Sequence, residues 1–248
     1  MLKTHTFNRR HFCGIAGAAV AARFVSGTSF HDEESLSGIT ETAKAANGEL
    51  QDILNLLLTQ EFLGVTFIGA AIERAPHTPS EEFLPVLRSA VTAEFVHGEA
   101  VKKAGGKPLT TSFWFPDAAF GAGGAGLFST IESVEEIEIS LYLAGVSAFA
   151  RAGKELGARM CGEALGVEAE HRVLARFAQD KLGKDVGVPN DRGFQNFGWP
   201  TPAKARAALE ALGVGFGKTG SQPGRMYQYP GDPVARGVGT SLKYSVPA

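Results

Sequence analysis

Two short stretches place a glutamate three residues ahead of a histidine: Glu94-Phe95-Val96-His97 and Glu168-Ala169-Glu170-His171. Residues three apart on a helix share a face, so each pair can reach one point. Glu135 and Glu138 are also three apart, with Tyr142 one turn further along the same side. Glu61 stands alone. It is the only charged residue between Asp52 and Glu73, in a segment that is apolar nearly all round, and Leu54 and Ile68 lie seven residues either side of it on its own face. An unpaired buried carboxylate costs several kcal/mol, so Glu61 needs a cation or a proton.

The spacings repeat. Glu61 precedes Glu94 by 33 residues, and Glu135 precedes Glu168 by 33. A shift of 74 carries Glu61, Glu94 and His97 onto Glu135, Glu168 and His171. With 26 acids and 6 histidines in 248 residues, chance over roughly 100 offsets yields such a repeat about 2% of the time. Two equivalent helix hairpins would gather these groups around a pseudo-two-fold axis. One Glu from each of two helices, plus Glu-x-x-His from each of the other two, is the ligand set of dinuclear carboxylate proteins. Carboxylates bridge hard cations and imidazoles cap them, which suits two iron or two manganese ions. The expected ligands are Glu61, Glu94, His97, Glu135, Glu168 and His171. Glu138 is either a seventh ligand or a group behind the ligands. Tyr142 either hydrogen-bonds a ligand carboxylate or simply packs. Glu99, Glu136 and Glu170 fall on the solvated faces. The competing reading of the whole set is a buried hydrogen-bond network.

These residues need helices to hold them. Glu49–Arg74 has no proline and only Gly64 and Gly69 as interior breakers. Ser80 is placed to cap a second helix, with Glu81 and Glu82 in its first turn, running to Ala104 and stopping at Gly105-Gly106. A Gly- and Phe-rich connection covers Gly105–Leu127. Ser129-Thr130-Ile131-Glu132 reads as a capping box opening a third helix to about Ala152. A fourth runs from about Lys154 to Leu182 and ends at Gly183. No segment alternates with period two for long, so strands are not expected as the framework. Helices of about 25 residues are about 37 Å long, and a connection of 23 residues reaches at most about 76 Å, enough to run the bundle's length. The expected fold is all-α: a four-helix bundle over 48–183, of two antiparallel hairpins joined by one long crossover, the ferritin-like arrangement.

The ends differ in composition. Residues 1–21 carry Lys3, Arg9 and Arg10, no acid, and an apolar stretch from Phe12. That order makes a signal peptide, with Ala19-Val20-Ala21 as its cleavage site. Asn8-Arg9-Arg10-His11-Phe12 resembles the twin-arginine export signal, which implies an exported, periplasmic or extracellular protein that folds before export. Residues 22–47 read as a polar linker with a short helix near Glu41–Ala46. Removal of the signal would take Cys13 and leave 21 bases against 26 acids and the single Cys161, which reads as a small buried apolar residue. The near-neutral balance does not mark a nucleic-acid binder, and no unbroken run of about 18 apolar residues predicts a membrane span. Residues 184–248 are rich in Gly and Pro. Thr201, Pro202 and Gly213 bound one short helix, and the rest is expected to be irregular. Phe194, Phe197, Trp199, Phe216, Tyr227, Tyr229 and Tyr244 are too many aromatics for a disordered tail. They predict packing on the bundle, or on a second subunit in a homodimer.

The residues from about 48 to 183 resemble the ferritin-like superfamily, specifically the secreted ferritin-like domain of desiccation-related proteins and their bacterial relatives. Val134-Glu135-Glu136-Ile137-Glu138-Ile139-Ser140-Leu141-Tyr142-Leu143-Ala144-Gly145 resembles that family's third helix, and Glu168-Ala169-Glu170-His171 its fourth. Glu135 with Glu138 also resembles the Glu-x-x-Glu of rubrerythrins. That likeness implies an extra carboxylate and peroxide reduction at a di-iron site. The chain departs from rubrerythrins in having no Cys-x-x-Cys pairs, hence no attached rubredoxin-like donor. The resemblance implies a small oxidant, peroxide or oxygen, as the reacting partner. Peroxide dismutation and ferrous-iron oxidation are both compatible. A different class stays open: a stress-related structural or binding protein whose metal only stabilises the bundle. Two motifs are read as decoys. Gly121–Gly126 spells G-x-G-x-x-G without a βαβ context, and Gly217-Lys218-Thr219 lacks the first glycine of a phosphate loop.

Overall fold

The computed structural model describes residues 33–121 and 124–243, with side chains from Gly48 onward except that of Ala125. The export signal expected over 1–21, the first part of the expected linker and Tyr244 lie outside the described residues. The chain divides into two compact units, Met1–Ile39 and Thr40–Ala248. Within the first, residues 33–39 belong to a helix. All that follows concerns the second.

The protein is mostly helical, with one small sheet. Helix α1 spans Glu33–Arg74, so it begins well inside the stretch read as a linker. The segment is free of proline from Glu33 to Ala75 and rich in Ala, Glu and Leu, which favours continuation of the helix. Arg74 complements the dipole at its last turn. By length and composition, Gly48–Arg74 is apolar enough to cross a membrane, but 94% of its most apolar window is buried within the protein. Helix α2 covers Leu84–Lys103. Its entry differs from expectation. Ser80 does not cap it: Thr78 caps a 3-10 turn over Pro79–Phe83, and α2 follows from Phe83 with no side-chain cap. Helix α3 covers Ala125–Arg151 and helix α4 Glu155–Lys181. The capping box at Ser129 is not used. Gly124, at φ 84°, starts α3 five residues earlier, in a left-handed conformation that glycine adopts at no steric cost. Thr130 and Ser133 hydroxyls instead donate back to carbonyls one turn before them.

Leu57 and Leu58 of α1, Val91 of α2, Leu141 of α3 and Cys161 of α4 are fully buried in one continuous core. Each buried leucine contributes about 1.5–3 kcal/mol of transfer free energy. Helices α3 and α4 are in close contact along their lengths, while α2 and α4 meet sparsely.

The expectation of a purely helical fold is corrected by a three-stranded antiparallel sheet in the order β2-β1-β3. Strand β1 (Ser112–Pro116) lies within the long connection, and β2 (Gly215–Phe216) and β3 (Gly224–Gln228) lie in the C-terminal extension. Phe113 pairs with Phe216 on one side and Tyr227 on the other. Phe113 and Phe115 point inward, and Phe115 meets Phe67 of α1 edge-on at 5.1 Å between ring centroids. The sheet thus stitches the extension to the crossover and seats both on α1. The extension is less irregular than its composition implied, because its strands find a partner more than 100 residues earlier in the chain.

Helix α5 (Pro202–Ala211) is capped by Thr201, with Pro202 at its start, as the sequence indicates. It buries Ala205 and Leu209 and packs on α3. Tyr229 stacks on Phe62 at 3.8 Å and Trp199 donates its amide hydrogen to Ser140 Oγ. Among the described residues of the extension, Trp199, Phe216, Tyr227 and Tyr229 therefore pack on their own chain, while Phe194 and Phe197 are exposed.

Candidate metal centre

Each of the four long helices delivers its acidic and imidazole groups to one region. Glu61 comes from the middle of α1, Glu94 and His97 from α2, Glu135 and Glu138 from α3, and Glu168 and His171 from α4. All five carboxylates are at most 2% exposed. His171 is nearly as buried, and His97 keeps 13% of its side chain exposed.

The groups form three overlapping clusters whose nitrogen and oxygen atoms lie within 4.8 Å of one another: Glu94, Glu135, Glu168 and His171; Glu61, His97 and Glu168; and Glu61, Glu94 and Glu138. Glu61, Glu94 and Glu168 each belong to two clusters. Both imidazoles turn Nδ1 inward. His171 Nδ1 is 2.9 Å from Glu168 Oε2, 3.1 Å from Glu94 Oε1 and 3.7 Å from Glu135 Oε1. His97 Nδ1 is 2.6 Å from Glu168 Oε1 and 3.8 Å from Glu61 Oε2. The His97–Glu168 approach is close without hydrogen-bond alignment, so both atoms remain unsatisfied. The repeat found in the sequence therefore has a spatial counterpart: Glu135 lies with His171 and Glu61 with His97, and Glu168 clusters with each pair.

Buried oxygens of Glu61, Glu94, Glu135, Glu138 and Glu168 have no hydrogen-bond partner, nor does His97 Nδ1. Natural interiors leave few such atoms, and each calls for an explanation. Burial, reinforced by the neighbouring carboxylates, pushes Glu61, Glu135 and Glu138 well above the usual carboxylate range, and Glu94 above it as well. Burial would raise Glu168 too, but the imidazoles of His97 and His171 overcome it and hold that carboxyl low. Burial works against the His171 cation, yet Glu168 and Glu94 lift its pKa to about 10. Five carboxylates in contact without enough cations is an unstable arrangement of charge. Two divalent cations would offset four of the five negative charges and occupy the orphaned lone pairs. On these grounds the residues present could hold a metal ion.

Tyr142, fully buried, donates a hydrogen bond to Glu61 Oε1. Of the two roles open to it, the structure places it on a carboxylate rather than in packing alone. Glu138 sits with Glu61 and Glu94, inside the cluster rather than behind it. Glu99 and Glu170 are exposed, and Glu136 pairs with Arg192 away from the centre.

One contributor was not singled out in the sequence. Gly64, one turn after Glu61, gives Glu94 its space: a Cβ there would lie 2.8 Å from Glu94 Cδ. It stands 74 residues before Glu138, so the shift that superposes the ligand triplets also aligns a glycine with the extra glutamate. That alignment was the available signal.

The decoys need one correction. A strand, β1, does precede Gly121–Gly126, and α3 begins within it at Ala125. The strand pairs only antiparallel, so among the described residues there is no βαβ unit. The amide of Gly217 is spent on Ser112 O, at 2.8 Å. Compared with known protein families, curated proteins and solved structures, the chain matches none.

Proposed function

We propose that this chain is an exported protein with a ferritin-like four-helix bundle, holding two iron or two manganese ions and reacting with peroxide or oxygen. The observation that carries the reading is the set of unsatisfied buried oxygens converging from four helices beside two inward-turned imidazoles. Glu135 and His171 would hold one ion and Glu61 and His97 the other, with Glu94 and Glu168 shared between them and Glu138 as the added carboxylate. Bound in this way, two redox-active ions would exchange electrons in pairs, which peroxide and oxygen require.

The chain's own residues set the conditions. Tyr142 holds Glu61 in place by its hydrogen bond. The apolar shell, including Leu57, Leu58, Phe62 and Leu141, excludes bulk water and strengthens every charge interaction inside. The excess of carboxylates over imidazoles offers proton acceptors whose charge changes with the state of the site. The export signal supports an extracytoplasmic setting. The absence of Cys-x-x-Cys pairs favours a reaction without an attached donor, such as dismutation, in which one peroxide is reduced to water and another oxidised to oxygen.

Metal analysis by inductively coupled plasma mass spectrometry tests this first. About two equivalents of iron or manganese, lost in Glu135→Ala while helicity is retained, are expected. No bound metal after anaerobic loading with either ion would overturn the reading. Metal without turnover of peroxide or ferrous iron would leave the stabilising role as the better account.

A further inference from the structure

His97 and Tyr142 do more than border the cluster of carboxylates. Together they close the inner end of a cavity of about 570 Å³ that runs between α2 and α4, where those helices meet sparsely. Its walls are Phe95 and Val96 of α2 and Met160, Ala164 and Val167 of α4. Hydrogen peroxide needs little more room than water, at ~30 Å³ per water, so this space is an order of magnitude too large for it. Its size is that of pockets built for ligands with a carbon skeleton, and its lining is the apolar kind such ligands require.

The rim is charged. Glu99, Lys102, Lys103 and Glu163 stand at the mouth and are exposed. Lys102 pairs with Glu99 at 3.3 Å, and Glu163 with Arg159 at 2.7 Å. Among the described residues Lys103 has no carboxylate within ion-pair distance, so the rim offers one uncommitted cation. A half-open apolar cavity with one unpaired lysine at its rim is complementary to a chain that is apolar along its length and anionic at one end.

We propose that this cavity binds a single-chain amphiphile with an acidic head, a medium-chain carboxylic acid or its like, with the head at Lys103 and the far end of the chain against Tyr142 and His97. The inference goes beyond the metal reading, because the ligand is recognised by α2 and α4 whether or not metal is bound. Where metal is bound, the chain's end lies beside the side chains that hold it.

Isothermal titration calorimetry with octanoate, decanoate and dodecanoate, on metal-free and on metal-loaded full-length protein, tests the proposal. Affinity should rise about fourfold per added methylene until the cavity is filled. Decanol should bind more weakly than decanoate, and Lys103→Gln should erase that difference. Ala100→Trp, which puts an indole into the cavity, should weaken decanoate at least tenfold with helicity unchanged. Met160→Trp serves the same purpose should the first variant not fold. Leu174→Trp, in the neighbouring cavity of about 480 Å³, should leave decanoate binding as it was. Affinity independent of chain length, or unmoved by the folded blocking variant, would overturn the proposal. Because metal-free protein is measured separately, failure to take up metal would sink the metal reading and leave this result standing.

Discussion

Gly64 and Glu94 lie in direct contact, with the α1 backbone at Gly64 forming the surface against which the Glu94 carboxyl rests. A methyl group at Gly64 would fall 2.8 Å from Glu94 Cδ and nearer still to Oε2. Glu94 belongs to two of the three clusters, so a shift in its position disturbs both halves of the centre. Gly64→Ala should therefore lower metal affinity by about 10–100-fold, the usual cost of disturbing the groups that orient a ligand. Helix stability should not suffer, since alanine gains about 1 kcal/mol over glycine in a helix interior. Metal competition with a chelator, read beside a thermal melt, separates the two effects. Unchanged affinity would show that Glu94 can be displaced without consequence.

The carboxylates make the metal-free protein sensitive to pH in a defined direction. Glu61, Glu135 and Glu138 are raised well above their ordinary value of 4.5, first by burial and then by one another and by their neighbours. A group with a raised folded-state pKa stabilises fully below its unfolded pKa, and that contribution is lost as pH rises through the folded value. Melting temperature of the metal-free protein should thus fall as pH is raised above about 5. Glu168, held low, acts in the opposite sense, but only as pH falls below its ordinary value. His171 contributes fully below its ordinary value of 6.5 and loses that contribution as pH rises from there through about 10, in the same direction as the raised carboxylates. Metal binding must displace protons from the raised carboxylates, so affinity should increase over the same range in which the metal-free form weakens. Calorimetric scans from pH 5 to 8, with and without metal, check this; a metal-free melting temperature that rises with pH would contradict it.

Tyr142→Phe removes the hydroxyl that donates to Glu61 and little else, because the ring is fully buried. Leaving that buried acceptor unsatisfied costs about 1–3 kcal/mol in the metal-free protein. With metal bound the loss should appear as weaker retention of one ion, that held by Glu61 and His97. Stepwise metal release, followed by chelator titration, should resolve a weakened step beside an unaltered one. Equal weakening of both steps would assign Tyr142 a general packing role.

Arg172 presents the reverse case, a cation with no acidic partner among the described residues. It is 1% exposed, and neither its Nε nor its Nη1 is hydrogen-bonded. Burial, with Arg192 nearby, lowers its pKa, while Glu136, the nearest compensating acid, is taken by Arg192. A buried charge of this sort is replaceable by a hydrophobic residue of similar length at no cost or with a gain of about 1–4 kcal/mol. Arg172→Met should accordingly melt at or above the temperature of the unmodified protein. A marked drop in melting temperature would mean that the guanidinium has a bound partner in solution.

Much of the centre was written in local spacing. Glu94 with His97, and Glu168 with His171, share faces because three residues make most of a helical turn, and no tertiary information is needed to know it. The repeat at 74 residues, the solitary charge at Glu61 and the breaks at Gly105 and Gly183 likewise follow from residue order. The helix starts were less legible. Thr78 and Gly124 took the entry positions that Ser80 and Ser129 were equally suited to by composition, and the choice depended on where the chain arrived from.

What only the tertiary structure decided is nonlocal. Phe113 and Phe115 alternate over too few residues to announce a strand; β1 exists because β2 and β3, more than 100 residues later, satisfy its backbone groups. The partner of Tyr142 is 81 residues away, and the space for Glu94 is an absent side chain on another helix. Contacts along one helix recur with its own period and so appear in sequence. Contacts between elements depend on how their surfaces interlock, and no residue carries that information alone.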